Sequence, residues 1–215
     1  LVGTNGLFDA TGSGVITRCH AVGAIVGHCY AGGLVGWNGS RTSDCYATGR
    51  VTASTYAGGL LGGNLDGMVS RCWASGPVTG ESDVGGLAGM TRGGALEQCY
   101  ASGSAISDEY AGGLAGSNNG ASISQCFATG PVAGNAYVGG LTGWNEGGAV
   151  LSQCYAAGAV VGRQYAGGLS GENGYSVIEA CFWDTEASGM TRSEGGTGLT
   201  TALMQTPDAF VAAGW

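Results

Sequence analysis

Seven cysteines recur along the chain at nearly constant spacing, and this regularity limits the fold more than any other feature of the sequence. The spacings are 26, 27, 27, 27, 28 and 27 residues. The positions are Cys19, Cys45, Cys72, Cys99, Cys126, Cys154 and Cys181. From each of the first six cysteines to the next Gly-Gly pair the distance is always 13 residues, whereas the distance from the following Leu to the next cysteine varies from 11 to 13. A period of this length is typical of a solenoid.

The composition of each repeat predicts strands and not helices. Gly, Val, Tyr and Thr predominate, and apolar residues do not recur at helical spacing. Alternation places Cys126 and Ala128 on one face of a strand and Phe127 on the other. We therefore predict an all-β fold, a parallel β-solenoid of about seven coils of roughly 27 residues, each with three short strands joined by glycine corners.

The variable spacing locates the loop of each coil. Because chains tolerate changes of length in exposed turns, we predict that the Gly-x-Asn stretches 36–38, 116–118 and 143–145 are loops. The same spacing puts Leu7 in the first coil, since it lies 12 residues before Cys19, with Asp9 where a framework glycine is expected.

Stacked coils place equivalent residues in columns. Besides the cysteines, three inward columns are predicted: Ile25, Val51, Val78, Ala105, Val132 and Val160; Leu34, Leu60, Leu87, Leu114, Leu141 and Leu169; and Ile16, Thr42, Val69, Leu96, Ile123, Leu151 and Ile178. One column is predicted to face outward, because it has the opposite parity to the cysteines: His20, Tyr46, Trp73, Tyr100, Phe127, Tyr155 and Phe182. A further column holds Tyr30, Tyr56, Asp83, Tyr110, Tyr137 and Tyr165.

The repeat pattern ends after Cys181. Residues 201–205 and 208–212 each suit a short helical turn, the second started by Pro207-Asp208. Because a solenoid needs a lid over its last coil, we divide the chain into repeats at 1–182 and a C-terminal capping segment at 183–215.

The repeated motifs Gly-Gly-Leu-x-Gly-x-Asn and Cys-Tyr-Ala-x-Gly-x-Val resemble the GLUG repeat of bacterial surface proteins. That repeat occurs in adhesin-like and haemagglutinin-like chains and in some IgA-cleaving peptidases. The resemblance implies an extracellular, cell-surface role. It implies no catalytic residue in the repeat itself, because peptidase activity would belong to a separate domain.

The net charge of −8 and the pI near 4.5 argue against nucleic acid and anionic membrane surfaces as partners. No run of eighteen apolar residues is present, so we expect no membrane insertion. The chain starts with Leu1 and not Met, which suggests a processed or trimmed product. We expect a structural module that self-associates into a homo-oligomer or filament through its solenoid ends or an aromatic strip. The alternative is an adhesin arm that binds a glycan or a host protein.

Enzymatic activity is not expected. The acidic residues fall at different repeat positions, and Glu97 and Glu179 share a column but lie three coils apart, roughly 14 Å at about 4.8 Å per coil. A polysaccharide-active β-helix enzyme is the weaker alternative, since it needs clustered carboxylates. We expect no cofactor and no catalytic or metal residues, although Asp184 and Glu186 are an alternative calcium site.

The candidate contact surface is the part of the outward column that follows His20, which we call the outer aromatic strip. It consists of Tyr46, Trp73, Tyr100, Phe127, Tyr155 and Phe182. Its rings either contact a sugar or another chain, or only stabilise the stack.

The cysteines leave two alternatives open. Neighbouring members of the column lie within the Cα range of a disulfide, but their side chains run parallel, so free thiols are as plausible as bridges. Cys29 lies outside the column. It is the cysteine most suited to form a disulfide, either with Cys19 or with another chain.

Overall fold

The structure, a computed structural model, describes residues 2–6 and 14–215. The described chain forms a parallel β-solenoid, as predicted from the repeat. Its strands make four sheets. Sheet I contains Val2–Asn5, Val35–Asn38, Leu61–Leu65, Ala88–Arg92, Ala115–Asn119, Thr142–Glu146 and Ser170–Asn173. Sheet II contains Val15–Thr17, Arg41–Ser43, Met68–Ser70, Ala95–Glu97, Ser122–Ser124, Val150–Ser152 and Val177–Glu179.

The other two sheets complete each coil. Sheet III contains His20–Ala21, Tyr46–Ala47, Trp73–Ala74, Tyr100–Ala101, Phe127–Ala128, Tyr155–Ala156 and Phe182–Asp184, followed by Thr197–Leu199 of the C-terminal segment. Sheet IV contains Ile25–Val26, Cys29–Gly32, Val51–Thr52, Thr55–Gly58, Val78–Thr79, Ser82–Gly85, Ala105–Gly112, Val132–Gly139, Val160–Val161 and Gln164–Gly167.

The number of strands per coil differs from the prediction of three. Each coil passes through four sheets, and in sheet IV most coils contribute two short strands, which merge into one in Ala105–Gly112 and Val132–Gly139. Strands of two or three residues in sheets II and III are too short to show alternation clearly, so sequence patterning undercounted them. The chain makes about six turns, with sheet IV reached six times and sheets I to III seven times.

The register between coils confirms the predicted columns. Thr42 pairs with Ile16 and Val69, and Val78 pairs with Val51 and Ala105. All six leucines of the leucine column are buried. The core has two parts: the leucine, cysteine and isoleucine-rich columns form one cluster, and the valine column packs under sheet IV in the other.

The Gly-Gly pair marks the corner between sheets IV and I. A Cβ on Gly112 would lie 1.9 Å from the carbonyl oxygen of Ala115, and a Cβ on Gly113 would lie 2.1 Å from that of Gly140 in the next coil. Neither oxygen can move, because both belong to the backbone. The pair therefore keeps a fixed distance from the cysteine in every coil.

A column of asparagines runs through the interior, and it corrects the loop prediction. Asn38 is the last residue of its sheet I strand, Asn118 is the residue before the last of its own, and both are fully buried. The Asn118 Nδ2 donates to Asn145 Oδ1 at 2.9 Å, and Asn38 Nδ2 donates to Asn64 Oδ1 at 2.7 Å. The exposed loop of variable length begins only after this residue, because the asparagine side chain also binds the backbone that turns towards sheet II, as Asn38 does at Ser40 O.

One coil lacks this asparagine. Thr91 occupies the position, is fully buried and donates through Oγ1 to Asn118 Oδ1 at 2.8 Å. Thr42, the polar member of the neighbouring column, donates to Asn38 Oδ1 at 2.9 Å. No buried side-chain nitrogen or oxygen among the described residues lacks a hydrogen-bond partner.

The first coil is aligned differently from the prediction. Val2 pairs with Val35 and Asn5 with Asn38, so Asn5 already occupies the asparagine position. The prediction placed Leu7 in the leucine column, whereas the observed register puts that column six residues earlier in the chain. The two differ because more residues connect Asn5 to sheet II than connect the equivalent positions in later coils. Leu7 and Asp9 themselves lie outside the described residues.

The C-terminal segment covers the last coil. It contains α1 at Thr185–Ser188, a strand at Thr197–Leu199 that pairs with Phe182–Asp184, α2 at Thr201–Met204 and α3 at Pro207–Ala212. The two predicted helical turns are present as α2 and α3. The helix α1 was not predicted.

We expect Asn118→Ala to lower the free energy of unfolding by about 3 kcal/mol. The substitution leaves the Asn145 side-chain oxygen without its donor inside the core and removes the shorter of two hydrogen bonds of the Thr91 hydroxyl, which keeps the one to Ser117 O at 3.3 Å. Each such loss costs about 1–3 kcal/mol. Urea denaturation measures the difference. Asn135→Ala is the control: Asn135 is exposed and bonds only Asp108, so its effect is within about 0.5 kcal/mol. Equal denaturation midpoints for the two variants would contradict the role assigned to the asparagine column.

Candidate functional site

The outer aromatic strip forms one continuous stack along sheet III. Neighbouring rings from His20 to Tyr155 have centroids 4.5 to 5.7 Å apart and planes within 8° of parallel. The stack follows from the register, since each ring occupies the same position on successive coils, as Tyr100 does relative to Phe127. The rings from Tyr46 to Tyr155 are partly exposed.

The stacking decides which part of each ring meets solvent. Both faces of Trp73, Tyr100 and Phe127 are covered by the rings above and below, so only their edges are free. Sugar rings pack on the faces of aromatic side chains, whereas other aromatic rings also pack against edges in T-shaped pairs. The strip therefore offers edge contacts along its length.

The C-terminal end of the strip is occupied by the chain itself. Phe182, predicted as an outward contact, is only 5% exposed. Phe210 of α3 contacts Phe182 at 4.9 Å with the planes at 63°, and contacts Tyr155 at 6.4 Å and 81°. Trp215 contacts both strip residues at 6.3 Å, and its Nε1 donates to Ala180 O at 2.8 Å. The strip thus binds aromatic side chains edge to face within this molecule.

The further aromatic column, which we call the tyrosine column, lies on sheet IV. Tyr30 stacks on Tyr56, and Tyr110, Tyr137 and Tyr165 stack in turn, with centroids 4.5 to 4.9 Å apart. Every member of the column has a left-handed backbone, with φ between 49° and 56°. Bulky residues rarely adopt this conformation, so the stacked rings compensate for a strained corner. This left-handed corner could not be predicted from the residue types, because these positions are not glycine.

Asp83 interrupts the tyrosine column. Its carboxylate accepts hydrogen bonds from Ser82 at 2.7 Å and from Ser117 of the next coil. Burial raises the pKa of the Asp83 carboxyl, whereas the two serine hydrogen bonds act in the opposite direction and Glu109 adds to the increase. The position therefore disfavours the charged form of this partly buried carboxyl.

The cysteine column contains free thiols that are fully hydrogen-bonded. The Sγ of Cys126 accepts the backbone N–H of Cys99 at 3.3 Å and donates to Ser124 O at 3.1 Å, and the pattern repeats in neighbouring coils. The residue before each cysteine has a left-handed φ, for example 51° at Gln125, which turns the chain from sheet II to sheet III. Burial, together with the thiol contacts of Cys154 and Cys99, raises the pKa of Cys126, so this thiol is protonated and unreactive at neutral pH.

Cys19 and Cys29 are the two exposed cysteines, and both are free thiols in the structure. Cys29 aligns with Thr55 on sheet IV, as expected, and its Sγ accepts the Thr55 hydroxyl at 3.3 Å. Cys19 belongs to the cysteine column and directly precedes the sheet III strand His20–Ala21. A disulfide from Cys29 to Cys19 or to another chain stays a prediction.

The two acidic residues that share a column of sheet II are not paired in the manner of a glycosidase. Glu97 and Glu179 share a column of sheet II three coils apart, as the sequence indicated. Asp184 caps α1: its Oδ1 accepts the N–H groups of Glu186 and Ala187, and the Thr201 hydroxyl binds the same carboxylate. No group of three or more His, Cys, Asp or Glu side chains within residues 2–6 and 14–215 is placed to hold a metal ion.

Comparison with known proteins supports the repeat and the fold. The model of the family described as the GLUG motif matches residues 27–52 and 134–161, so the predicted resemblance to GLUG repeats is confirmed. A crystal structure described as a "putative immunoglobulin A1 protease" from Bacteroides ovatus has a similar fold, with a TM-score of 0.62 and 21% identity over 98% of this chain and 68% of that one. No curated protein matches the sequence. Across the described part of the chain, no helix has the length and apolar character needed to cross a membrane.

We expect Asp83→Asn to stabilise the protein at neutral pH by about 1 kcal/mol. Because the folded pKa of Asp83 is raised, the native state gains stability as the pH falls through that pKa and loses it as the pH rises. The variant should exceed the wild type at pH 7.5 and lose this advantage near pH 3, where both side chains are neutral. Urea denaturation at the two pH values measures the difference.

Asp44→Asn is the matched control, because Asp44 also has a left-handed φ. Its hydrogen bonds from Arg71, at 2.7 and 2.8 Å, lower the pKa of the Asp44 carboxyl. Its contribution is therefore present above the unfolded pKa and fades as the pH falls, so this variant is expected to show the opposite pH dependence. A stability difference for Asp83→Asn that is independent of pH would contradict the assignment.

We expect Phe210→Ala to loosen the C-terminal segment while the solenoid stays folded. The substitution removes the edge-to-face contacts on Phe182 and Tyr155, a loss of about 3 kcal/mol for a buried aromatic ring and less at this partly exposed one. Limited proteolysis should then cleave within residues 200–215. Val211→Ala on the same helix is the control, since Val211 is 66% exposed. Equal cleavage of the two variants would argue against the contact.

Proposed function

We propose that this chain is a non-enzymatic structural repeat module of an extracellular or cell-surface protein, and that it associates laterally through the free part of the outer aromatic strip. The observation that carries this proposal is the docking of α3 on the strip. Phe210 and Trp215 occupy its C-terminal end, while Tyr46, Trp73, Tyr100 and Phe127 bear no such cover from described residues. The extracellular location rests on the likeness to GLUG repeats.

A second copy of this chain is the partner that the strip suits best. The strip is uncharged and presents ring edges, and the contact with Phe210 is a working example of how an aromatic side chain packs there. Contact through the C-terminal end of the solenoid is less favoured, because Thr197–Leu199 and the helices cover the last coil. Two strips packed side by side leave that cover in place.

The alternative is an adhesin arm that binds a glycan or host protein. The stacked geometry weighs against sugar along the strip, since the ring faces that a sugar would need are already used. Immunoglobulin protease activity is not proposed for this chain, because a likeness of 21% identity concerns the fold. Polysaccharide cleavage is likewise not proposed: Glu97 and Glu179, the acidic pair that shares a column of sheet II, lie three coils apart.

We expect the wild-type protein to associate reversibly as its concentration rises, and Tyr100→Ala to weaken this association about tenfold or more, as the loss of a central aromatic contact does in protein interfaces. Sedimentation equilibrium at micromolar to millimolar concentration measures it. Tyr110→Ala is the control, because it removes one ring from the stacked tyrosine column and leaves the strip intact. A wild type that is monomeric throughout, or an equal loss in both variants, would refute lateral association through the strip.

A further inference from the structure

We propose that a groove beside the last ring of the tyrosine column binds a cationic side chain, arginine or lysine, of a partner protein. The groove has a volume of about 570 Å³. Its lining combines four aromatic rings with two carboxylates, and we call it the acidic–aromatic groove. These residues are Tyr137, Trp144, Tyr165, Tyr175, Glu146 and Glu172. This inference goes beyond the proposed function, because the groove lies between sheets I and IV, away from the strip on sheet III.

Ring faces are available here because the tyrosine column ends. Tyr165 stacks on Tyr137 at 4.7 Å, and no further ring follows it in the described part of the chain. Its side chain is 50% exposed, and Tyr175, in the loop after sheet I, is fully exposed. Trp144 stacks one face on Tyr110 at 5.1 Å and lies at 6.2 Å from Tyr137 with its plane tilted by 31°, so it contributes its remaining face and edge to the groove.

The two carboxylates add negative charge to these ring faces. Glu172 lies in register with Trp144, one coil further along sheet I. Glu146 follows Trp144 by two residues and accepts the Asn119 amide at 2.6 Å. Within the described residues the one ion pair is that of Asp44 and Arg71, so neither glutamate is neutralised by a basic side chain.

Arg192 is a competing cation beside the groove. It lines an adjacent cavity of about 370 Å³ together with Glu172 and Glu194, but it is not within ion-pair distance of either. The local charge is therefore negative despite this residue, in keeping with the net charge of −8.

Aromatic faces combined with carboxylates suit a cationic side chain in particular. A guanidinium or ammonium is attracted to the electron-rich face of Tyr or Trp, and a guanidinium also pairs with a carboxylate through two parallel hydrogen bonds. A neutral sugar also packs on ring faces, but its binding does not require both glutamates to be charged. A glycan that carries carboxylates or sulfates is repelled by them. Charge therefore separates the alternatives.

The test is a titration followed by NMR at the indole N–H of Trp144. The probe is the peptide acetyl-Gly-Gly-Arg-Gly-Gly-amide, compared with the same peptide containing Gln in place of Arg. We expect a saturable shift with the arginine peptide, weakened by added salt, and no saturable shift with the glutamine peptide. Equal shifts with both peptides, or none with either at millimolar concentration, would overturn the proposal.

Variants identify the groups responsible. We expect Glu172→Gln and Tyr175→Ala each to weaken binding about fivefold or more, which corresponds to about 1 kcal/mol, and Arg192→Gln to strengthen it by removing a competing cation. Glu97→Gln, which neutralises an exposed carboxylate on sheet II, is the control and should leave the affinity unchanged. If cellotriose binds instead, and binds as well to Glu172→Gln, the groove is a site for neutral sugar and the proposal fails.

Discussion

The parallel hydrogen bonds between successive coils hold every residue beside its counterpart one coil away, and the rest of the structure depends on that register. A side chain that packs well against a copy of itself is repeated in every coil, so leucine packs on leucine and ring on ring. A side chain that does not suit its own copy disturbs two neighbours. Asp83 is the example, because it separates Tyr56 from Tyr110 and places a partly buried carboxyl with a raised pKa where a stacked ring would otherwise lie.

The coil must also turn sharply several times in about 27 residues, and polar side chains satisfy the backbone at these corners. Asparagine binds the chain that leaves sheet I, as Asn38 does at Ser40 O, while its amide bonds the next coil. Each of these cysteine thiols accepts the backbone N–H of the cysteine one coil earlier, as Cys126 does from Cys99. The left-handed residue before Cys99 turns the chain so that this N–H points along the solenoid axis. This explains why a core column is cysteine and not valine: the thiol is small and apolar, yet it both donates and accepts a hydrogen bond.

The same register determines which surfaces remain available for contact. Within each outward column the stacked rings cover one another's faces, so a free face occurs only where a stack ends. The strip ends beneath Phe210 and Trp215 of the C-terminal segment. The tyrosine column ends at Tyr165 without such a cover. The ring of Tyr175 and the two glutamates of sheet I line the groove beside it.

The sequence by itself determined the coil length, the columns and the position of the C-terminal segment, because a fixed repeat in a parallel stack leaves one register. It also predicted α2 and α3 from their start signals. It could not show that the Gly-x-Asn stretch is buried, since a polar residue among glycines is typical of a turn, and only packing against the next coil turns Asn118 into a core residue. It could not show that Phe182 is covered or that Tyr165 and Tyr175 line one groove, because these residues are brought together from different repeat positions. Only the tertiary structure decides them, through the way the chain closes over its last coil.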